Sequence, residues 1–216
     1  MKRLAVVMAV SAACVAVAQA QTPPARASST GAAPGAQPAA GEGLAQLTRD
    51  PADWPMPAKN YDGTRFSRLD QINAQNVRNL TVAWTFSTGV LHGHEAAPLV
   101  IGGTMYVITP WPNIVYALDL SAEGAIKWTF KPHPARASQG VACCDVVNRG
   151  MAYSDGKIFF NTLDDHTIAL DADTGKMLWD TQVGDIDKGE TMTMAPLVVK
   201  NHVLVGNSGG ELGVRG

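Results

Sequence analysis

Ala97-Pro98-Leu99-Val100 recurs as Ala195-Pro196-Leu197-Val198, 98 positions further along, and a similar unit begins near Ala152 between them. The period is therefore about 50 residues, the span of a propeller blade made of four strands. A repeat of this kind constrains the fold strongly, because no single unit can bury its apolar face and each must stack on its neighbours. The local pattern agrees. Short β segments are expected at 98–101, 104–109, 114–118, 126–130, 151–154, 157–162, 167–171, 177–181, 196–199 and 203–205. Gly102-Gly103 and Asp155-Gly156 supply hairpin turns of the primed type. A second signature accompanies the repeat. Ala169-Leu170-Asp171-Ala172-Asp173-Thr174-Gly175-Lys176-Met177-Leu178-Trp179 is its clearest copy, and Ala117-Leu118-Asp119 with Gly124 and Trp128 is a looser one. Asp and Gly shape the turn between two strands, and the tryptophan is a large apolar plug that docks between blades. Trp84 is expected to serve an earlier blade in the same way. Gly93-His94 and Trp179-Asp180 hint at a WD40 blade, but they lie too far apart to belong to one.

The amino terminus is of another kind. Lys2 and Arg3 precede an uncharged run from Leu4 to Ala18, which ends in Ala18-Gln19-Ala20. A basic start, an apolar stretch too short for a comfortable membrane span and an A-x-A site form a cleavable secretory signal. Residues 1–20 are therefore expected to be a signal peptide cleaved after Ala20, and the mature chain to be exported to an oxidising compartment. Cys14 reads as part of the apolar run; a lipidated cysteine is the other possibility. Residues 21–43 are mostly Ala, Pro, Gly, Ser and Thr, a composition that cannot bury enough surface to order itself, and are read as a linker. Residues 44–216 remain, about 170 in all, enough for one core. The net charge is −2, and there is no basic run, basic-aromatic stripe or second apolar span. Nucleic acid is excluded as an expected partner, and so is a membrane span after cleavage.

Within the folded part, Cys143 and Cys144 are adjacent and are the only cysteines besides Cys14. Neighbouring Cα atoms are held about 3.8 Å apart, closer than the roughly 4.4–6.8 Å of ordinary disulfides, so a bridge between them closes a small, distorted ring. Two free thiols in a loop, or a soft-metal pair, are the alternatives. Asp145 and Asn148-Arg149-Gly150 follow. Asp53 to Arg65 is rich in prolines and turn formers and reads as an ordered loop. His92 and His94 flank Glu95 at metal-ligand spacing but lack a third partner, and are read as turn residues.

Together these motifs resemble the pyrroloquinoline quinone (PQQ) dehydrogenases. The A-x-D-x-x-T-G-K-x-x-W element is similar to their tryptophan-docking motif. Cys143-Cys144-Asp145 with Asn148-Arg149-Gly150 resembles the vicinal-disulfide segment of the alcohol-oxidising branch. Gly206-Asn207-Ser208-Gly209-Gly210-Glu211 resembles the segment that supplies a metal ligand in methanol dehydrogenase large subunits. The likeness runs from about Asp53 to the last residue. It implies an all-β fold, the amino-terminal part of an eight-bladed β-propeller with about three to four blades present. It also implies that a Cys143–Cys144 disulfide packs on one face of the quinone and that Arg149 binds a PQQ carboxylate. Glu95 would sit at the PQQ edge and orient Arg149. Thr193 and Ser208 would contact the cofactor through their hydroxyls, Gly209 and Gly210 would let the backbone approach it, and Glu211 would ligate the metal. A hard oxygen donor suits Ca2+ or a lanthanide ion. Glycine at 210, where the calcium-type subunits tend to carry alanine, leans towards a lanthanide.

The activity so implied is periplasmic oxidation of methanol or another short primary alcohol to the aldehyde, with a soluble cytochrome c as electron acceptor. A homo-oligomer is expected, with a small subunit as a further possible partner. The family's catalytic aspartate, remaining metal ligands and second quinone-covering residue are expected beyond Gly216, so no catalytic residue is assigned in this sequence and the chain alone is expected to be inactive. The competing reading is a non-enzymatic propeller of PQQ-like repeats acting as a periplasmic protein-binding scaffold. Cys143-Cys144 and Glu211 argue against it, because a scaffold has no use for a quinone platform or a metal ligand.

Overall fold

A computed structural model describes residues 42–142 and 145–215. The expected signal peptide (1–20), nearly all of the expected linker (21–43) and the Cys143–Cys144 pair lie outside the described residues. A short helix, α1 (Glu42–Leu47), opens the folded part, and ten strands follow it. Strands β1 (Leu99–Ile101), β2 (Thr104–Ile108), β3 (Val115–Asp119) and β4 (Ala125–Phe130) form one antiparallel meander. Strands β5 (Ala152–Ser154), β6 (Lys157–Asn161), β7 (His166–Asp171) and β8 (Met177–Gln182) form a second with the same order. Strands β9 (Leu197–Val199) and β10 (His202–Leu204) make a third hairpin. These strands match the expected segments to within one or two residues, because each is bounded by turn chemistry that sequence reveals.

The first strands of the three units converge. Ala97, just before β1, forms a parallel bridge with Gly150, just before β5. A Cβ built on Gly150 would lie 3.5 Å from Ala97 O and 3.6 Å from the Cβ of Ala195, which leads into β9. Meanwhile the last strands, β4 and β8, are largely exposed. First strands drawn together and last strands facing out is the radial arrangement of propeller blades.

Between the two complete sheets lies the main core. Leu99, Tyr106, Ile108, Val115 and Ala117 from one side meet Met151, Ile158, Phe160, Ile168 and Leu170 from the other. The second sheet is also covered on its far face, where Ala152, Phe159 and Ala169 pack on Val198. Burial on both faces explains why Lys157–Asn161 and His166–Asp171 read as nearly continuous apolar runs. Each large aliphatic or aromatic side chain fully removed from water contributes about 1.5–3 kcal/mol, so stacking the sheets is the main source of stability.

Docking tryptophans join the units. The ring of Trp128 lies on Gly175, where a Cβ would come within 2.6 Å of the indole, and Trp84 lies on Gly124 at the same closeness. Both glycines also have left-handed backbone, φ 70° and 76°, so the docking motif needs glycine for conformation and for space. Trp128 Nε1 donates to Ala172 O at 3.0 Å, and Tyr106 Oη donates to the same carbonyl at 3.1 Å. Burial pushes the Tyr106 phenol up to about 12, so it remains a donor.

Two differences from expectation stand out. The described residues form two four-stranded sheets and the hairpin of a third unit, a partial propeller as expected, and the first difference lies just before them. Residues 80–96, which carry Trp84, form no strand ladder among the described residues. A strand needs a partner for its backbone N–H and C=O groups, and this run instead covers the first sheet through side chains. Phe86 stacks edge-on against Tyr116 with ring centres 5.0 Å apart, and Tyr116 Oη donates to Thr88 O at 2.9 Å. The second difference is α1, a short helix that no sequence signal marked.

Candidate cofactor site

Each unit's approach to its first strand carries one of the expected site residues. Glu95 stands two residues before Ala97, Arg149 one before Gly150, and Thr193 two before Ala195. Because those three small residues converge, the side chains beside them are brought together. Arg149 Nε lies 3.3 Å from Glu95 Oε2. On the other side, Arg149 Nη1 donates to Thr193 Oγ1 at 2.5 Å, and the Arg149 backbone N–H donates to Thr193 O at 2.9 Å. One guanidinium thus bridges three consecutive units.

The Arg149 and Glu95 side chains are 49% and 50% exposed. An ion pair as open as this contributes only about 0–1 kcal/mol, so its main effect is orientation. Of the five guanidinium N–H donors, Nε is directed at Glu95 and one on Nη1 at Thr193, which leaves three for an incoming anion. A carboxylate-bearing planar ligand fits that donor set, since guanidinium and carboxylate match in two-pronged geometry.

Beneath this bridge lies a buried amide network. Asn148 is 0% exposed; its Oδ1 accepts from Gly150 N at 2.9 Å and its Nδ2 donates to Asn161 O at 2.9 Å. Asn161, also 0% exposed, donates through Nδ2 to Met194 O at 3.1 Å and accepts from Thr167 Oγ1 at 2.9 Å. The two asparagines therefore fix the backbone on both sides of the Arg149–Thr193 contact. Sequence reading missed Asn161, which looks like any polar strand end. Its only signal was an amide in an otherwise apolar run.

Ser208 pairs with Thr191, which was not singled out. Ser208 N donates to Thr191 O at 2.8 Å, the two hydroxyls lie 2.8 Å apart, and Ser208 Oγ also reaches Thr191 O at 2.9 Å. Its hydroxyl is thus committed within the chain, unlike the open side of Arg149. Gly209 and Gly210 differ sharply. A Cβ on Gly209, at φ 128°, would come 2.4 Å from Val214 Cγ2 and 2.5 Å from Gly189 O, whereas one on Gly210 would meet nothing within 4 Å. Close backbone packing thus demands glycine at 209, while open space surrounds 210. Glu211 is exposed in the first turn of a 3-10 helix, Gly210–Leu212. Among the described residues no group of three or more His, Cys, Asp or Glu is arranged to hold a metal ion; Glu211 supplies one hard oxygen donor. His94 donates from Nδ1 to His92 O at 2.8 Å, and its Nε2 lies 2.9 Å from Thr88 Oγ1. These contacts tie His94 to the stretch between Thr88 and His92, just before Glu95.

Comparison with known proteins places this geometry in a family. The PQQ family described as the glucose/ethanol/alcohol dehydrogenase β-propeller domain matches residues 54–213. The chain is 58% identical over 178 residues to a lanthanide-dependent methanol dehydrogenase of Methylacidiphilum fumariolicum, covering 82% of this chain and 29% of that protein. It is 51% identical over 183 residues to methanol dehydrogenase (cytochrome c) subunit 1 of Methylobacterium organophilum, with the same coverage. Among solved structures, a europium-containing methanol dehydrogenase superposes with a TM-score of 0.79 at 58% identity, covering 81% of this chain and 30% of that one. The chain thus spans about 30% of the length of the relatives it matches. With the converging blade units, the docked tryptophans and the profile match over 54–213, the chain belongs to the PQQ-dependent dehydrogenase β-propeller family.

Proposed function

We propose that this chain supplies one wall of the PQQ site of a methanol dehydrogenase, which oxidises methanol or a similar short primary alcohol and passes electrons to a cytochrome c. The observation that carries the reading is the Glu95–Arg149–Thr193 bridge, an oriented guanidinium with donors left over where three units meet. PQQ, when bound, supplies the quinone that accepts hydride from the alcohol. Arg149 then binds a PQQ carboxylate, Glu95 keeps the guanidinium turned towards it, and Thr193 fixes the far side. Ser208 contributes through its remaining lone pair, and Gly209 and Gly210 bring the backbone close. Glu211 is assigned as one oxygen ligand to Ca2+ or a lanthanide. The 58% identity to a lanthanide-dependent relative supports the lanthanide. A Cys143–Cys144 disulfide completes the wall on the strength of the family resemblance alone. Export through the 1–20 signal to the periplasm, assembly as a homo-oligomer and a small subunit belong to the same reading.

The test is a titration of PQQ into the chain in the presence of La3+ or Ca2+, followed by tryptophan fluorescence. Saturable binding is expected, weakened at least ten-fold by Arg149→Ala and less by Glu95→Gln. Binding that ignores both substitutions overturns the assignment.

A further inference from the structure

A second polar cleft lies around Lys59, built by residues with no part in the cofactor site. Lys59 is 3% exposed and has left-handed backbone, φ 74°. Its ammonium donates to Asp50 O at 2.6 Å and to Asp53 O, and sits 5.9 Å from the centre of the Trp54 ring. Two of its three N–H donors are thereby used. Arg49, Arg68, Thr48, Ser67 and Phe66 line the same cleft, whose volume is about 170 Å³.

Neutral oxygens hold the three cations in place. Arg68 Nη2 donates to Arg49 O at 3.2 Å, and Arg49 Nη1 donates to Gln46 Oε1 at 3.4 Å. None of the three forms a salt bridge among the described residues, and no carboxylate lines the cleft. Asp50 and Asp53 act on Lys59 only at longer range, with Asp50 Oδ1 accepting from Ala52 N and Asp53 Oδ1 from Gly102 N. Burial lowers the Lys59 ammonium, the charges of Asp53 and Asp50 oppose it in part, and the Arg68 charge adds a smaller lowering. A bound anion would face two guanidiniums that have no carboxylate partner among the described residues.

We propose that this cleft binds a small tetrahedral oxyanion of the phosphate and sulfate class. Two guanidiniums and an ammonium offer donors from three stretches of chain, which suits an ion with oxygens pointing in several directions better than a flat carboxylate. Thr48 and Ser67 already donate to Ala45 O at 2.8 Å and Pro51 O at 2.6 Å, so the cations supply the recognition. An ion held there ties the turn after α1, the Lys59 loop and the Phe66–Arg68 stretch to one another. The site is independent of the cofactor reading.

Calorimetric titration of the whole chain with inorganic phosphate, in phosphate-free buffer at constant ionic strength, tests it. Saturable one-to-one binding in the millimolar range is expected, with sulfate competing and chloride not. Arg49→Ala and Arg68→Ala should each weaken it at least ten-fold. Chloride competing as well as sulfate, or affinity surviving the double substitution, overturns the proposal. Amide chemical shifts of the unsubstituted protein give a second readout that needs no variant to fold. Phosphate should move residues in the 48–68 segment, and changes centred elsewhere refute the site.

Discussion

Asp165 is the most unusual charge in the described chain, and its removal should stabilise the protein at neutral pH. It sits in the turn between β6 and β7, is 0% exposed, and neither carboxylate oxygen has a hydrogen-bond partner. Gly184 closes over it so tightly that a Cβ there would lie 2.4 Å from Oδ2. Burial, then the charges of Glu190 and Asp164, push its carboxyl from 3.8 up to about 7, with His166 opposing weakly. The folded state therefore holds a proton that the unfolded chain has already lost above about pH 4. Stability contributed by that proton is fully present below the unfolded value and disappears as pH rises towards about 7. Between pH 5 and 8 only the stretch from 5 to about 7 counts, roughly two units at about 1.4 kcal/mol each, or about 3 kcal/mol. Asp165→Asn keeps the shape, tolerates the left-handed backbone at φ 66°, and cannot ionise. Urea unfolding of both proteins, followed by circular dichroism at pH 5 and pH 8, measures the difference directly. The stability gain of the Asn variant should grow by about 3 kcal/mol from the lower to the higher pH. A gain that is the same at both values would refute the idea that an uncompensated buried carboxylate resides there.

Gly175→Ala should lower the melting temperature, because it adds about 1–2 kcal/mol of left-handed backbone strain and evicts the Trp128 indole from its seat; unchanged melting would show that the docking contact is dispensable. Gly209→Ala should destabilise the packing of this turn on Gly189 and Val214, while Gly210→Ala leaves thermal unfolding within about 0.5 kcal/mol of the parent, the two being compared by the same melting curves. Thiol counting on denatured, unreduced exported protein should find no reactive group at Cys143 or Cys144, and two titratable thiols would remove the disulfide from the proposed site. Amino-terminal sequencing of that material should begin at Gln21, whereas a start at Met1 or a lipid on Cys14 would contradict a cleaved signal.

Much of the fold was legible because its determinants are local. Hairpin turns at Gly102-Gly103 and Asp155-Gly156 bound strands whose alternation is visible in the sequence, and the 98-residue recurrence announced stacked units before any contact was known. Asp171 illustrates the rule: its carboxylate accepts from Thr174 N at 2.8 Å and Thr174 Oγ1 at 2.7 Å, a turn written entirely within four residues. The candidate residues Glu95, Arg149 and Thr193 were singled out by resemblance, and the contact between Glu95 and Arg149 that the structure shows was expected.

Tertiary structure alone decided the rest. Glu95 and Arg149 are 54 positions apart and Thr193 follows 44 further on, so their meeting depends on three first strands converging, a property of blade packing with no local signature. For the same reason the sequence showed Asn161 and Thr191 as ordinary polar residues, although they support Arg149, Thr193 and Ser208 from beneath. Asp165 is, in the sequence, one carboxylate among several, since its desolvation is produced by neighbours such as Gly184 that lie 19 residues away. Turns and strand periods are encoded in consecutive residues; burial, charge environment and the partners of a side chain exist only once distant segments have packed.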